Sequence, residues 1–289
     1  MNRQKEYHYI GYAKNKQIRS YSSSGGVVTA ILIDLLRQKK IDGAVVLKMQ
    51  GLRPVQFIAT TENEILEASQ SKYMDFEISN IIDKIKKFKG NLAIVGLPCH
   101  FRILKKNKNI KNKVKYWLGL YCGTGLLKKG TLALLNKINV KTNDVKKIEY
   151  RSGDNYGGIK VFLENGKTKF ISKDASNYLN TIYMPKRCLY CKDFFNEYSD
   201  ISFGDCWFKK KYTSIYVKNT KANKLLKTIK TIKIEKIVIK DFFAQHKHSV
   251  NLKQNRIDLR KYRIILEFLP LWTLACMAKI IKFIKKAYK

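Results

Sequence analysis

The sequence predicts an α/β fold: a mixed sheet with antiparallel additions and a basic helical C-terminus. Three observations carry this. Segments of strand composition alternate with segments of helical spacing. "NLAIVG" (91–96) is a short, almost purely apolar run, the pattern of a parallel strand buried on both faces. "GIKVFLENGKTKFI" (158–171) places "ENGK" between two strand-like runs, the pattern of an antiparallel hairpin.

The elements follow in order. After a short basic start, Val27, Val28, Ile31, Leu32, Leu35 and Leu36 recur at helical spacing, so the serines and glycines before them open a helix. "GAVVLKM" (43–49) and "VQFIAT" (55–60) read as strands, and two polar helices are expected around 62–69 and 77–89. After the parallel run comes a further strand, "VKYWLGLYC" (114–122), and then a helix, "LLKKGTLALLNKI" (126–138). "IEYRSGD" and "DISFGD" are expected to be antiparallel strands, as is the hairpin between them. Beyond about residue 240 the chain reads as helical and basic.

The 289 residues are 45% hydrophobic, enough for a sizeable core, and no repeat of solenoid length is present. Lys+Arg number 58 against 22 Asp+Glu, a formal net charge of +36. Such a surplus favours polyanions: nucleic acid, anionic lipid or phosphorylated ligands. The lysines are spread along the chain among many Ile and Asn, however, and a solvated lysine-rich surface explains them as well. No recognised nucleic-acid module accompanies the charge, so no nucleic-acid partner is expected. The N-terminus has no apolar core of a secretory signal, and "FLPLWTLACMA" (268–278) is too short for a confident span. A cytoplasmic location with reduced thiols is expected for the six cysteines.

Five stretches are candidates for chemistry. "SSSGG" (22–26) precedes a helix, where small residues let backbone N–H groups approach an anion. The plainer reading is a helix cap with Ser24 as the capping oxygen. "GLPCH" (96–100) and "GLYCGTG" (119–125) each follow a predicted strand, so Cys99 and Cys122 stand where α/β proteins bind ligands. "CLYC" adds Cys188 and Cys191 at a spacing that brings two sulfurs to one centre. Four thiolates suit zinc or an iron–sulfur cluster. One close pair with two distant single ligands suits a cluster better than a zinc knuckle, while four core cysteines with no metal stay open. Cys206 is unassigned and Cys276 reads as a small hydrophobe. None of His8, His100, His246 and His248 makes a metal pattern; His100, beside Cys99, is compatible with a ligand contact or a capping role. Lys72, in "SKYM" (71–74), suits a phosphate or a ring carbonyl, or plain solvation.

In this order, "SSSGGVVTAI", "SKYM", "LPCH", "LGLYCGTG", "CLYC" and "SDISFGDCW" resemble the beta subunits of coenzyme F420 hydrogenases and dehydrogenases, over roughly residues 10 to 210. The resemblance implies a flavoprotein-type α/β domain with FAD and one [4Fe–4S] cluster. Its implied ligands are Cys99, Cys122, Cys188 and Cys191. Ser22, Ser23, Ser24, Gly25, Gly26, Lys72, Gly204 and Asp205 would lie near the flavin. The implied division is residues 1–95 and 96–240 as the two parts of the oxidoreductase domain, the second with the cysteines, and 241–289 as a basic helical tail. Electrons would pass between a low-potential carrier, coenzyme F420 or a ferredoxin, and another acceptor. The chain departs from the pattern in beginning directly at the flavin part, which implies a separate ferredoxin-like partner, and in "PCH" for the usual "PCQ". Relatives of this size suggest a place in surface-polysaccharide assembly. A noncatalytic accessory protein of such an assembly, keeping the fold without the redox cycle, is the alternative.

In the tail, Lys279, Lys282, Lys286 and Lys289 are spaced to share one helical face, away from Ile280, Ile281, Phe283 and Ile284. A helix of this kind can lie on an anionic membrane surface or dock on its own domain. Peripheral contact of 268–289 with the inner face of the membrane is the expectation.

Overall fold

The computed structural model describes residues 5–152, 157–255, 265 and 268–277. Its strands are β1 (Tyr7–Ala13), β2 (Gly43–Gln50), β3 (Arg53–Ala59), β4 (Leu92–Gly96), β5 (Val114–Leu120), β6 (Val145–Ser152), β7 (Gly158–Leu163), β8 (Thr168–Ser172), β9 (Ile201–Asp205), β10 (Thr213–Val217) and β11 (Ile232–Lys236). Eight form one sheet in the order β11-β1-β10-β9-β5-β4-β2-β3; β6, β7 and β8 form a second, smaller sheet.

The centre of the large sheet is parallel: β2, β4, β5 and β9 pair side by side in one direction. β4 is nearly all buried, which is why its sequence is apolar without alternation. β3 closes one edge antiparallel to β2, and β10, β1 and β11 extend the other edge antiparallel in turn. Two reversals leave β1 pointing the same way as β9. The carboxyl ends of β1, β4, β5 and β9 therefore share one edge of the sheet, the place where α/β sheets bind ligands.

The helix Val27–Arg37 is buried along almost its whole length, from Val27 through Leu35, and packs with the sheet into the main core. Across the sheet, Phe101 and Trp117 meet edge to face at 5.0 Å, in a second core with Ile81, Ile85 and Ile94. The small sheet carries its own core, built from Ile148, Val161 and Ile171 with Leu134 and Leu135 of the helix Lys128–Lys137.

The mixed sheet and the 164–167 hairpin turn agree with the sequence. Among the elements that go beyond it are the strands β1, β10 and β11 and the helices Lys16–Tyr21, Pro98–Leu104, Lys108–Lys113 and Thr220–Thr228. β9, expected to be antiparallel, is so only to β10 and pairs parallel with β5. The expected cap at Ser24 is corrected. The N-cap is Gly26, at φ 75°, and Ser24 Oγ instead donates to the Tyr212 carbonyl at 2.7 Å. A serine cannot take this left-handed backbone cheaply, so the glycine sits at the cap and the serine anchors the loop. The predicted second polar helix divides into a 3-10 turn, Ile78–Ile81, and an α-helix, Ile82–Lys87.

After residue 240 the chain is helical at Ile239–Ala244 and Lys247–Gln254. In the helical stretch 271–277, Leu271 and Ala275 pack against the small-sheet core and Leu274 is buried. Phe268 and Trp272 face outward, 84% and 71% exposed. The predicted lysine face of 279–289 lies outside the described residues. Among the described residues, no helix is long and apolar enough to cross a membrane.

Candidate functional site

A cavity of about 530 Å³ opens at the shared carboxyl edge, between the two sheets. Ser22, Ser23, Ser24 and Gly26 line it on one side, Lys72 on another, and Gly204 with Asp205 at the end of β9. Of the eight residues expected there, Gly25 alone does not line the wall. It holds the loop instead: a Cβ at 25 would lie 2.6 Å from the Gly11 carbonyl and 2.8 Å from the Thr213 nitrogen. Its own N–H donates to Thr213 Oγ1 at 3.0 Å.

The serine hydroxyls shape this wall. Ser22 Oγ donates to the Ile18 carbonyl at 2.7 Å, and Ser23 Oγ accepts the Ser71 N–H at 2.8 Å, joining the glycine turn to the "SKYM" segment. The opening residues of the helix, Val27, Val28 and Thr29, face the cavity, and Gly26 brings no capping side chain. First-turn N–H groups without a capping side chain make a place for a phosphate. Opposite them, Lys72 Nζ is folded onto the carbonyls of Ala68, Ser69 and Gln70. Burial and the nearby Lys147 charge push its pKa down to about 7.

Gly204 is required by a close approach, since a Cβ there would lie 1.9 Å from the Tyr121 ring. Asp205 is held by Arg151 at 2.8 Å, both side chains largely buried. Trp207 stands at the mouth, 47% exposed, with Lys173 Nζ 5.2 Å from its ring centre. These features suit a planar ring system with a phosphate-bearing tail.

The four expected cysteines come into one neighbourhood. Cys99 begins the helix Pro98–Leu104 after β4, Cys122 follows β5, and Cys188 lies in the helix Lys186–Tyr190 with Cys191 at its end. Asn196 ties the CxxC segment to the strand ends: Nδ2 donates to the Gly96 carbonyl at 2.8 Å, while the Cys122 N–H donates to the Phe194 carbonyl at 3.0 Å. Burial pushes the Cys99 thiol up; the Arg187 guanidinium, hydrogen-bonded to it, opposes, and the charges of Cys188 and Cys191 add to the rise. Burial pushes Cys122 up to about 12, against the Lys253 charge, and the other three cysteines raise it further. Each buried thiol thus lies in the field of the remaining sulfurs. Cys122 also lines the cavity.

Among the described residues, no three His, Cys, Asp or Glu side chains close around a single ion. A zinc site with Zn–S of about 2.3 Å packs its sulfurs roughly 3.8 Å apart. A four-iron cube instead spreads its thiolates to separate corners, and soft thiolate donors suit a zinc ion and an iron–sulfur cluster alike. Cys206, buried next to Lys209 and Asp205, is outside the quartet, and Cys276 is exposed.

Two cations reach this quartet. Arg187 is one. The other, Lys253, was not anticipated from the sequence. It is 2% exposed, and its Nζ donates to the Cys122 carbonyl at 2.6 Å. None of the ion pairs among the described residues includes it. Burying an ammonium costs several kcal/mol, whereas a hydrogen bond from a charged donor returns roughly 1.5–3 kcal/mol. The balance calls for an anion nearby. His246 was also missed. It lines the cavity, its Nε2 lies 3.0 Å from Ser214 Oγ, and its buried Nδ1 has no partner among the described residues. His100 is buried against Phe76, its Nδ1 accepts the Leu97 N–H at 3.4 Å, and burial lowers its pKa to about 4.

Two family models match this arrangement in sequence: the coenzyme F420 hydrogenase/dehydrogenase beta subunit N-terminal model over residues 8–83, and its C-terminal counterpart over residues 89–241. The chain belongs to the coenzyme F420 hydrogenase/dehydrogenase beta subunit family. Among the relatives of this chain is the coenzyme F420-dependent sulfite reductase of Methanocaldococcus jannaschii, 26% identical over 77% of this chain and 37% of that protein. An uncharacterised protein of the same organism is 28% identical over 68% of this chain and 56% of its own length. The chain thus spans between a third and three-fifths of these two relatives. The coenzyme F420 hydrogenase subunit beta of Methanosarcina barkeri is 23% identical, covering 73% of this chain and 74% of that one. The fold matches a chain of the xenon-derivatised F420-reducing [NiFe] hydrogenase complex of Methanosarcina barkeri, with a TM-score of 0.69 at 19% identity, over 88% of this chain and 92% of that chain.

Proposed function

We propose that this chain is an oxidoreductase that binds FAD in the cavity and one [4Fe–4S] cluster on Cys99, Cys122, Cys188 and Cys191. The observation that carries the reading is the double position of Cys122, which belongs to the cysteine quartet and to the cavity wall. When bound, the flavin exchanges a hydride with a low-potential carrier and single electrons with the cluster. The names of the relatives favour coenzyme F420 as that carrier, and a ferredoxin is the other candidate.

The chain's own residues bind and orient. The glycine turn and the start of the helix Val27–Arg37 receive the phosphates. Lys72 faces the same space with an amine that changes charge near neutral pH. Gly204 and Tyr121 shape the floor under the ring, and Trp207 shields the mouth from water. The exposed positive surface, with a net charge of +36, attracts anionic carriers, including a separate small ferredoxin. On the resemblance alone, the final acceptor belongs to surface-polysaccharide assembly. The protein works in the cytoplasm, in peripheral contact with anionic lipid through 268–289.

The experiment is anaerobic. Protein carrying flavin is mixed with one equivalent of reduced coenzyme F420, or with two of a reduced ferredoxin. Bleaching of the flavin bands by either carrier is the expected result. Flavin that stays oxidised with both would overturn the redox cycle and favour the noncatalytic accessory role.

A further inference from the structure

Lys253 is a buried cation that forms no ion pair among the described residues. It lies in the helix Lys247–Gln254, beyond the family-matched residues, which end at 241. Its Nζ points to the Cys122 carbonyl, and its charge acts on the Cys122 sulfur. Among the described residues no carboxylate pairs with it. Within the quartet's own stretch of sequence, directly before Cys188, Arg187 bonds the Cys99 sulfur. Two positive groups therefore converge on the four sulfurs.

Resting on the cluster reading above, we infer that Lys253 is the buried counter-charge of an anionic iron–sulfur centre, and that it sets the centre's reduction potential. Four thiolates around a [4Fe–4S] core leave the centre negative, and the electron taken up on reduction adds one more negative charge. A fixed cation nearby favours the form with the added electron, and charge and hydrogen bonding near the sulfurs are the levers that tune such centres. Lys253 is a positioning residue. It touches the backbone of a ligand, not the reacting atoms. A lysine in "NLKQN" has no sequence signature of this role, because only the tertiary placement of its helix removes it from solvent.

The test compares reconstituted wild type, Lys253→Met and Lys253→Arg. Iron is counted, and the midpoint potential is read from EPR during a dye-mediated titration with dithionite as the electron donor. Lys253→Met is expected to load iron but to be about tenfold harder to reduce, about 59 mV lower for a one-electron couple. Lys253→Arg is expected to return most of that shift. Loss of iron uptake in Lys253→Met that Lys253→Arg restores carries the same conclusion.

An unmoved potential in loaded Lys253→Met overturns the inference while leaving the cluster reading intact. So does a Lys253→Arg variant that behaves like Lys253→Met, since shape rather than charge would then matter. The metal-free proteins give an independent readout. Without its anion the buried ammonium is a burden, so metal-free Lys253→Met should unfold at a temperature no lower than metal-free wild type. A lower one assigns Lys253 to the fold and overturns the inference. Wild type that takes up no iron removes the cluster reading itself.

Discussion

His246 shows how one residue ties the site to pH. It is 1% exposed, bonded to Ser214 through Nε2, and burial alone lowers its pKa to about 4. Its folded pKa lies below the unperturbed 6.5, so on acidification the unfolded chain takes up the proton first. Stability from this group is whole above about pH 6.5 and is lost progressively toward pH 4, on the order of 3 kcal/mol. The thermal midpoint should fall across that window, and His246→Phe should fall by clearly less. Equal acid sensitivity of the two proteins would contradict this role. Legibility at this scale divides by chemistry. Cys99, Cys122, Cys188 and Cys191 could be singled out because thiols at strand ends and in a CxxC are rare and purposeful. Gly204 and Asp205 entered through resemblance, and the Tyr121 ring gives the physical reason for the glycine. Lys253 and His246 were invisible, because their significance is burial, which neither residue type announces.

Among elements, the apolar ones were readable and the edge ones were not. β4, with its run of buried residues, needs no partner to be recognised. β1 is "YHYIGYA", in which aromatic and small residues hide the alternation, and β10 and β11 are five residues each. Their pairing is decided by neighbours distant in sequence, since β1 bonds β10 and β11 more than 200 residues away. The helical stretch 271–277 docks on its own domain, one of the two sequence expectations. Leu271 and Ala275 dock it on the small-sheet core, which leaves Phe268 and Trp272 as an aromatic ridge. No acidic residue follows Glu267, and five lysines follow Met277. Aromatic side chains with flanking cations favour an anionic interface. The intact protein should therefore sediment with vesicles containing anionic lipid at low salt and not with neutral vesicles. Removal of 268–289 should abolish binding. Equal sedimentation of both proteins would contradict it.

For the whole molecule, topology is what creates the site. The parallel core directs the ends of β4, β5 and β9 to one edge, and the double reversal through β10 returns β1 to the same edge. Sulfurs separated by up to 92 residues thereby meet beside a cavity walled by serines from the N-terminal quarter of the chain. The class of fold was legible from alternating elements, whereas the register that gathers the site was not, because it depends on strands too short to signal their partners. The measurement that bears most directly on this arrangement is low-temperature EPR of the anaerobically purified, dithionite-reduced protein, paired with iron and sulfide analysis. The predicted result is about four iron and four sulfide per chain, with a signal near one spin that disappears in Cys188→Ser and in Cys122→Ser. A single bound zinc, or an iron-free protein whose four thiols all react with alkylating agent, would contradict it.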